Sequence, residues 1–225
     1  MTEKNKSALL LASNSPRRRE LLALGGWEFG LDVSNIDESQ AVNETPAEYV
    51  RRLSRQKALA VLPRAQQQNI IIGADTCVVI ENDILGKPAS PAEARQMLLR
   101  LRGVTHQVYT GIAVVRVSDG SLWTDVVVTD VPMRSYSQAE VERYIQTGDP
   151  MDKAGAYGIQ NPDFQPVAFM QGCYASVMGL PLCSLSRLLR NAGILPAADL
   201  ASNCQASLHY ECPVYPVFLS KENES

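Results

Sequence analysis

Hydroxyl-capped amphipathic stretches alternate with short apolar runs along this chain. Three stretches open the same way: Thr45-Pro46-Ala47-Glu48, Ser90-Pro91-Ala92-Glu93 and Ser137-Gln138-Ala139-Glu140 each place a hydroxyl residue three positions before a glutamate. In such a capping box the two side chains satisfy each other's orphan backbone N–H groups, and proline at the first helical position, present in two of the three, suits a helix start. The helix predicted from Pro91 carries Ala94, Met97, Leu98 and Leu101 on one face and stops near Gly103; the one after Ser137 carries Val141, Tyr144 and Ile145 and ends by Gly148. A fourth begins after Ser15 with Pro16 and runs through Leu21, Leu22 and Leu24 to Gly25-Gly26.

Strands fall between these helices. Ala8 to Ala12 reads as a first buried strand, Ile70-Ile71-Ile72 as a second, and Cys77-Val78-Val79-Ile80 as a third before the polar turn Glu81-Asn82-Asp83. Val108 to Val117, the turn Ser118-Asp119-Gly120 and Leu122 to Val131 form a long hairpin pattern. Crossover-type and hairpin-type strands interleaved with helices predict an α/β fold with a mixed β-sheet. There is no internal repeat and no low-complexity stretch. Periodicity fades after about Pro196, so the reading is one domain over residues 1–196 and a C-terminal extension, 197–225, of unknown order.

Composition narrows the function. The 225 residues are 45% hydrophobic and 20% charged, as in a globular domain, and no apolar run is long enough to cross a bilayer. A net charge of −3 argues against general nucleic-acid binding, which needs a basic face, but leaves room for a small basic pocket. The five cysteines form no C-x-x-C pair or metal-ligand pattern, which fits a reducing cytosol; a disulfide between Cys204 and Cys212 has no support.

Four constellations carry chemistry. Ser13-Asn14-Ser15-Pro16-Arg17-Arg18-Arg19 joins an apolar strand to a helix N-terminus, where free N–H groups and the helix dipole favour an anion. The bland alternative is an N-cap at Ser15 followed by a solvated basic turn. Arginines there oppose the dipole, so their placement calls for an anion such as phosphate. Lys57 falls inside the apolar stripe Tyr49, Val50, Leu53, Ala60 and Val61, which means either snorkelling from its edge or an ammonium reaching into an anionic cleft. Gly73-Ala74-Asp75-Thr76 is expected at a strand end, with Gly86-Lys87-Pro88 beyond the next turn; Asp75 there could hold a metal, activate water, or simply turn the chain. Asp152 to Gln160 combines glycines that permit close backbone approach with an amide able to read a base edge. His106 and His209 are too few and too distant for a histidine-based triad, and His106 reads as structural.

In this order the pieces resemble the Maf family of nucleotide pyrophosphatases. Ser13 to Arg18 followed by Glu20-Leu21-Leu22 is similar to its N-terminal signature. Ala74-Asp75-Thr76, Leu85-Gly86-Lys87-Pro88 and Thr105 to Gly111 are similar to its central ones, and Asp152 to Gln160 with Gly179-Leu180-Pro181 to its closing ones. The resemblance covers roughly residues 8 to 194. It implies an elongated mixed sheet with two lobes around a cleft, a cytoplasmic homodimer, and hydrolysis of a nucleotide substrate between its α- and β-phosphates with a divalent metal, Mg²⁺ or Mn²⁺. Nucleic acid and membrane are not implied partners. Carried over by position, Asp75 is the proton acceptor, and Ser13, Arg18, Lys57 and Lys87 handle phosphate. Glu38 joins Asp75 in metal binding. Arg17, Thr76 and Gln160 match members acting on dTTP and UTP, not on 7-methyl-GTP. Two departures stand out: Asn161 where the family usually has glycine, and Ser176 where it often has asparagine. The competing expectations are a purine triphosphate pyrophosphatase, acting on 7-methyl-GTP or inosine-type substrates, and a non-catalytic nucleotide-binding regulator of cell division.

Overall fold

The computed structural model describes residues 8–216 except Ser34, Gln67 and Gln68; the end of the extension, 217–225, lies outside the described residues. One mixed sheet organises the chain. Strands β1 (Leu9–Leu11), β2 (Phe29–Leu31), β3 (Ile70–Ile80), β4 (Asp83–Leu85), β5 (Thr105–Arg116) and β6 (Leu122–Pro132) lie in the order β2-β1-β3-β5-β6, with β4 also on β3. β1 runs parallel to β2 and β3, and the remaining pairs are antiparallel. This is the mixed α/β architecture that the alternation of elements implied.

The four capped helices form: α1 (Pro16–Ala23), α2 (Pro46–Val61), α3 (Pro91–Leu101) and α4 (Gln138–Gln146). Thr45/Glu48 and Ser137/Glu140 are complete capping boxes. The third is half made: Ser90 caps the Glu93 N–H, but the Glu93 carboxylate turns to the Ala89 N–H at 2.7 Å. Short helices α5 (Tyr174–Met178) and α6 (Leu182–Asn191) follow.

Where a strand end was expected at Gly73, β3 runs unbroken for 11 residues, so Asp75 sits in mid-strand. The glycine serves packing. A Cβ on Gly73 would lie 2.1 Å from the Ser54 carbonyl oxygen, and one on Gly111 would lie 2.3 Å from that of Val50. These two positions, on β3 and β5, let α2 lie against the sheet at backbone distance. Gly111 is also the register partner of Asp75. Alternation then sorts β3 by parity. Ile71, Cys77 and Val79 pack on the α2 side with Val50, Ala58 and Val61, while Ile70, Ile72, Ala74, Val78 and Ile80 join the larger core on the other face.

β3 also has a gap along one edge. β1 pairs with Ile70–Ile72 and β4 with Val78–Ile80, and residues 73–77 lie between those two pairings. β1 ends at that gap and delivers the Ser13–Pro16 turn into α1.

The extension contains a helix that periodicity did not reveal, α7 (Leu200–Leu208), capped by Asp199. Leu200 enters the main core, Ala197 N–H bonds the Gly25 carbonyl at 3.0 Å, and the Tyr210 hydroxyl donates to the Gly172 carbonyl at 2.9 Å. Among the described residues the cysteines form no disulfide. Among the described residues no helix is long and apolar enough to cross a membrane.

Gly111→Ala is expected to destabilise the protein by roughly 1–3 kcal/mol, because its methyl would overpack against α2 backbone that cannot rotate away. At Gly86 an added Cβ meets nothing within 4 Å, so Gly86→Ala should stay within about 0.5 kcal/mol of wild type. Urea midpoints of the two variants check this.

Candidate active site

The close seating of α2 brings the Lys57 side chain down onto β3. Its ammonium donates to Asp75 Oδ1 at 2.5 Å and lies 2.7 Å from Glu38 Oε1. Lys57 is therefore no edge residue snorkelling outward; it ties a buried carboxylate to a half-exposed one. Two of its three N–H donors are engaged, which leaves one for a ligand oxygen. Glu38 reaches the ammonium from the loop before α2, and the Tyr49 hydroxyl holds that loop by donating to the Glu38 carbonyl at 2.9 Å. Tyr49 entered the sequence reading only as part of an apolar stripe. Its phenol, pushed up to about 12 by burial and by the Asp75 and Glu38 charges, stays a donor.

Arg18 occupies the other side of β3. Its Nε donates to the Gly179 carbonyl at 2.9 Å, one terminal nitrogen to Ser13 Oγ at 3.3 Å and the other to Thr76 Oγ1 at 3.2 Å. Three of its five N–H groups are thus fixed and two remain. Ser15 caps the Arg18 backbone N–H, so the plain N-cap expected there exists as well. Arg17 approaches Asp152 at 3.8 Å.

All nine side chains singled out from the sequence line one cavity of about 650 Å³: Ser13, Arg17, Arg18, Glu38, Lys57, Asp75, Thr76, Lys87 and Gln160. Arg19, the third arginine of the run, is exposed and not among its lining residues. Lys87 is exposed at the rim and acts on Glu38 by its charge, and Gln160 is exposed at the edge shared with a smaller cavity beside α7.

The two carboxyl groups respond differently to this setting. Burial pushes Asp75 above the usual carboxylate range, against the opposing pull of Lys57 and Arg18. At Glu38 burial also works upward, but the Lys57 hydrogen bond and the charges of Lys57, Lys87 and Arg18 outweigh it and hold the group low. A buried carboxylate with raised proton affinity suits a base, and a low one suits a permanent anion. Burial likewise presses against the Arg18 charge, so an anionic ligand would relieve it.

Among the described residues no group of three or more His, Cys, Asp or Glu side chains forms a metal cage. Glu38 and Asp75 fit a different kind of site. Mg²⁺ is commonly held by one or two carboxylates together with substrate phosphates and water.

Three further side chains support the arrangement: Lys153, whose role the sequence did not show, Asn161, and His106, which is structural as expected. Lys153 is buried and donates to Asp149 Oδ1 and Asp152 Oδ1 at 2.8 and 2.6 Å, holding the segment that leads to Gln160. Asn161 does not adopt a left-handed backbone. Its side chain accepts the Asp163 and Phe164 N–H groups and donates to Asp149, which fixes the loop without glycine. His106 is buried against the Tyr157 hydroxyl at 2.8 Å, and burial lowers its imidazole to about 4.

Because unfolded His106 would titrate near 6.5, the unfolded chain binds the extra proton between about 6.5 and about 4. Stability from this group is complete above that window and falls as pH drops through it, by at most about 1.4 kcal/mol per pH unit. Wild type should therefore lose more thermal stability between pH 7 and 5 than His106→Gln, as melting curves at both pH values would show.

Comparison with known proteins adds to this geometry. The family model described as Maf-like protein matches residues 8–192. A dTTP/UTP pyrophosphatase of Vibrio cholerae is 46% identical over 183 residues, covering 81% of this chain and 97% of that protein. The protein of the same name from Dehalococcoides mccartyi is 41% identical over 201 residues, 89% of this chain and 88% of that one, and its namesake from Hahella chejuensis is 46% identical over 188 residues, 83% and 92% respectively.

Proposed function

This chain belongs to the Maf family, and from that premise we propose that it is a nucleoside triphosphate pyrophosphatase cleaving dTTP and UTP to the monophosphate and pyrophosphate. The observation that carries the reading is the Lys57 bridge between Asp75 and Glu38, set in a cavity that Arg17, Arg18 and Lys87 also line. The relatives named above carry the dTTP/UTP activity in their names.

In this reading the triphosphate lies along the α1 N-terminus. Arg18 uses its two spare N–H groups, and Lys57 and Lys87 their charge, to neutralise phosphate oxygens. Asp75 accepts a proton from the attacking water, which adds to the α-phosphorus as the bond to the β-phosphate oxygen breaks and pyrophosphate leaves. The chain's contribution is positioning and electrostatic stabilisation of phosphoryl oxygens whose charge rises along the reaction. Glu38 and Asp75 would hold a divalent cation, which supplies further charge neutralisation when bound. Arg17, Thr76 and Gln160 line the same cavity, and to them this reading gives the choice of nucleotide.

Pyrophosphate release from UTP and dTTP, with CTP, GTP, 7-methyl-GTP and ITP as comparators and Mg²⁺ or Mn²⁺ supplied, tests the proposal. The two pyrimidine substrates should lead the panel, and EDTA should abolish their turnover. Asp75→Asn, which keeps the shape but cannot accept the proton, should lower kcat by about 10²–10⁴-fold. Full activity in that variant would remove Asp75 from the chemistry, and turnover of the purines alone would overturn the substrate assignment.

A further inference from the structure

Thr110 lies on β5, opposite Thr76 in the register of the sheet, and is completely buried. Thr110 falls within the motif Thr105 to Gly111, but threonine is an ordinary strand residue and nothing there singles out its hydroxyl. Its hydroxyl has two neighbours: the Ser176 carbonyl at 2.8 Å and Thr76 Oγ1 at 3.0 Å. A carbonyl oxygen cannot donate, so a 2.8 Å contact with it requires that Thr110 give its single proton there. Thr110 Oγ1 is then left as an acceptor, and the Thr76 proton must point at it. Thr76 Oγ1 in turn accepts from Arg18, which has no acceptor of its own. Every donor in the chain from Arg18 through Thr76 and Thr110 to the Ser176 carbonyl is therefore fixed in one direction.

Other features protect this order. The Ser176 carbonyl also takes the Gly179 N–H at 2.9 Å, which holds it at the C-terminal turn of α5. Gly179 has φ +111, a conformation strained for any side chain, and a Cβ there would stand 3.3 Å from both Arg18 Nε and Thr76 Oγ1, pressing each by a few tenths of an ångström. Position 176 contributes through its main-chain oxygen, while its own side chain is fully buried.

We infer that Thr110 is a positioning residue for the reaction: by taking the Thr76 proton it holds the Thr76 lone pairs towards Arg18 and so sets the guanidinium that meets the phosphates. Thr76 then has one lone pair to spare and no proton, so it meets any ligand only as an acceptor. The inference rests on the proposed role of Arg18 in the pyrophosphatase reaction.

A double-mutant cycle reads the relay. Thr110→Val keeps the shape and removes the hydroxyl. It should lower kcat/KM for UTP by roughly tenfold, the effect expected from weakening a hydrogen bond to a charged group, and Thr110→Ser should restore it to within about twofold. Thr76→Val should lower kcat/KM similarly, and Thr76→Val/Thr110→Val should fall no further than Thr76→Val alone, because Thr110 acts only through Thr76. Losses that multiply in the double variant, or wild-type kcat/KM in folded Thr110→Val, would overturn the relay and leave Thr110 as a support for α5. Should Thr110→Val not fold, Thr110→Cys, a weak donor of similar size, replaces it in the cycle. Calorimetry with inorganic tripolyphosphate runs the same cycle without turnover. A non-additive cycle there, in a protein that cleaves no pyrimidine triphosphate, would count against the proposed function and not against the relay; an additive one would overturn the relay itself.

Discussion

The structure depends on how closely one helix approaches one sheet. α2 crosses β3 and β5 at Gly73 and Gly111, where no side chain intervenes and helix carbonyls occupy the space that a Cβ would fill. That approach buries the Lys57 stem and brings its ammonium to Asp75. Either charge left alone in such a place would cost several kcal/mol, so the pair and the seating of α2 support each other. Glu38 completes the arrangement from outside, held by a tyrosine of the same helix.

A single strand then serves two chemistries. Asp75 faces α2, with Lys57 and Glu38; its neighbour Thr76 faces the main core, with Thr110 and Arg18. The two meet because the edge of β3 away from β5 has a gap between its pairings with β1 and β4, and α1 begins beside that gap. The Asp75–Lys57 pair and Arg18 thus lie on opposite faces of one strand, both lining the same cavity, and the strand between them keeps Arg18 out of that ion pair.

Much of this was legible in the chain. Four helices were readable from their caps, because capping uses few residue types at fixed offsets. Lys57 was legible as a lysine inside an apolar stripe, although the stripe could not say what it met. The strand through Asp75 was misread because glycine usually interrupts a strand, whereas Gly73 answers to the backbone of α2, the helix before it. α7 escaped notice because its apolar stripe is thin: Leu200, Cys204 and Leu208 recur at i, i+4 and i+8 and pack on the main core, but only Leu200 is buried and Ser202, Asn203, Gln205 and Ser207 surround them. Thr110 stood inside a recognisable motif, Thr105 to Gly111, that said nothing of its role. Its role lies in the direction of a proton, which no pattern of residue types encodes.

The parity of β3 carries a consequence for how this chain can vary. Inserting or deleting one residue between Gly73 and Asp75 would exchange the faces of everything beyond it, sending the carboxylate to the apolar core and the threonine towards the ammonium. Substitution can tune such a site, but a length change there inverts it. Room for growth lies instead in the loops and at the chain's far end, where α7 was accommodated without disturbing the count.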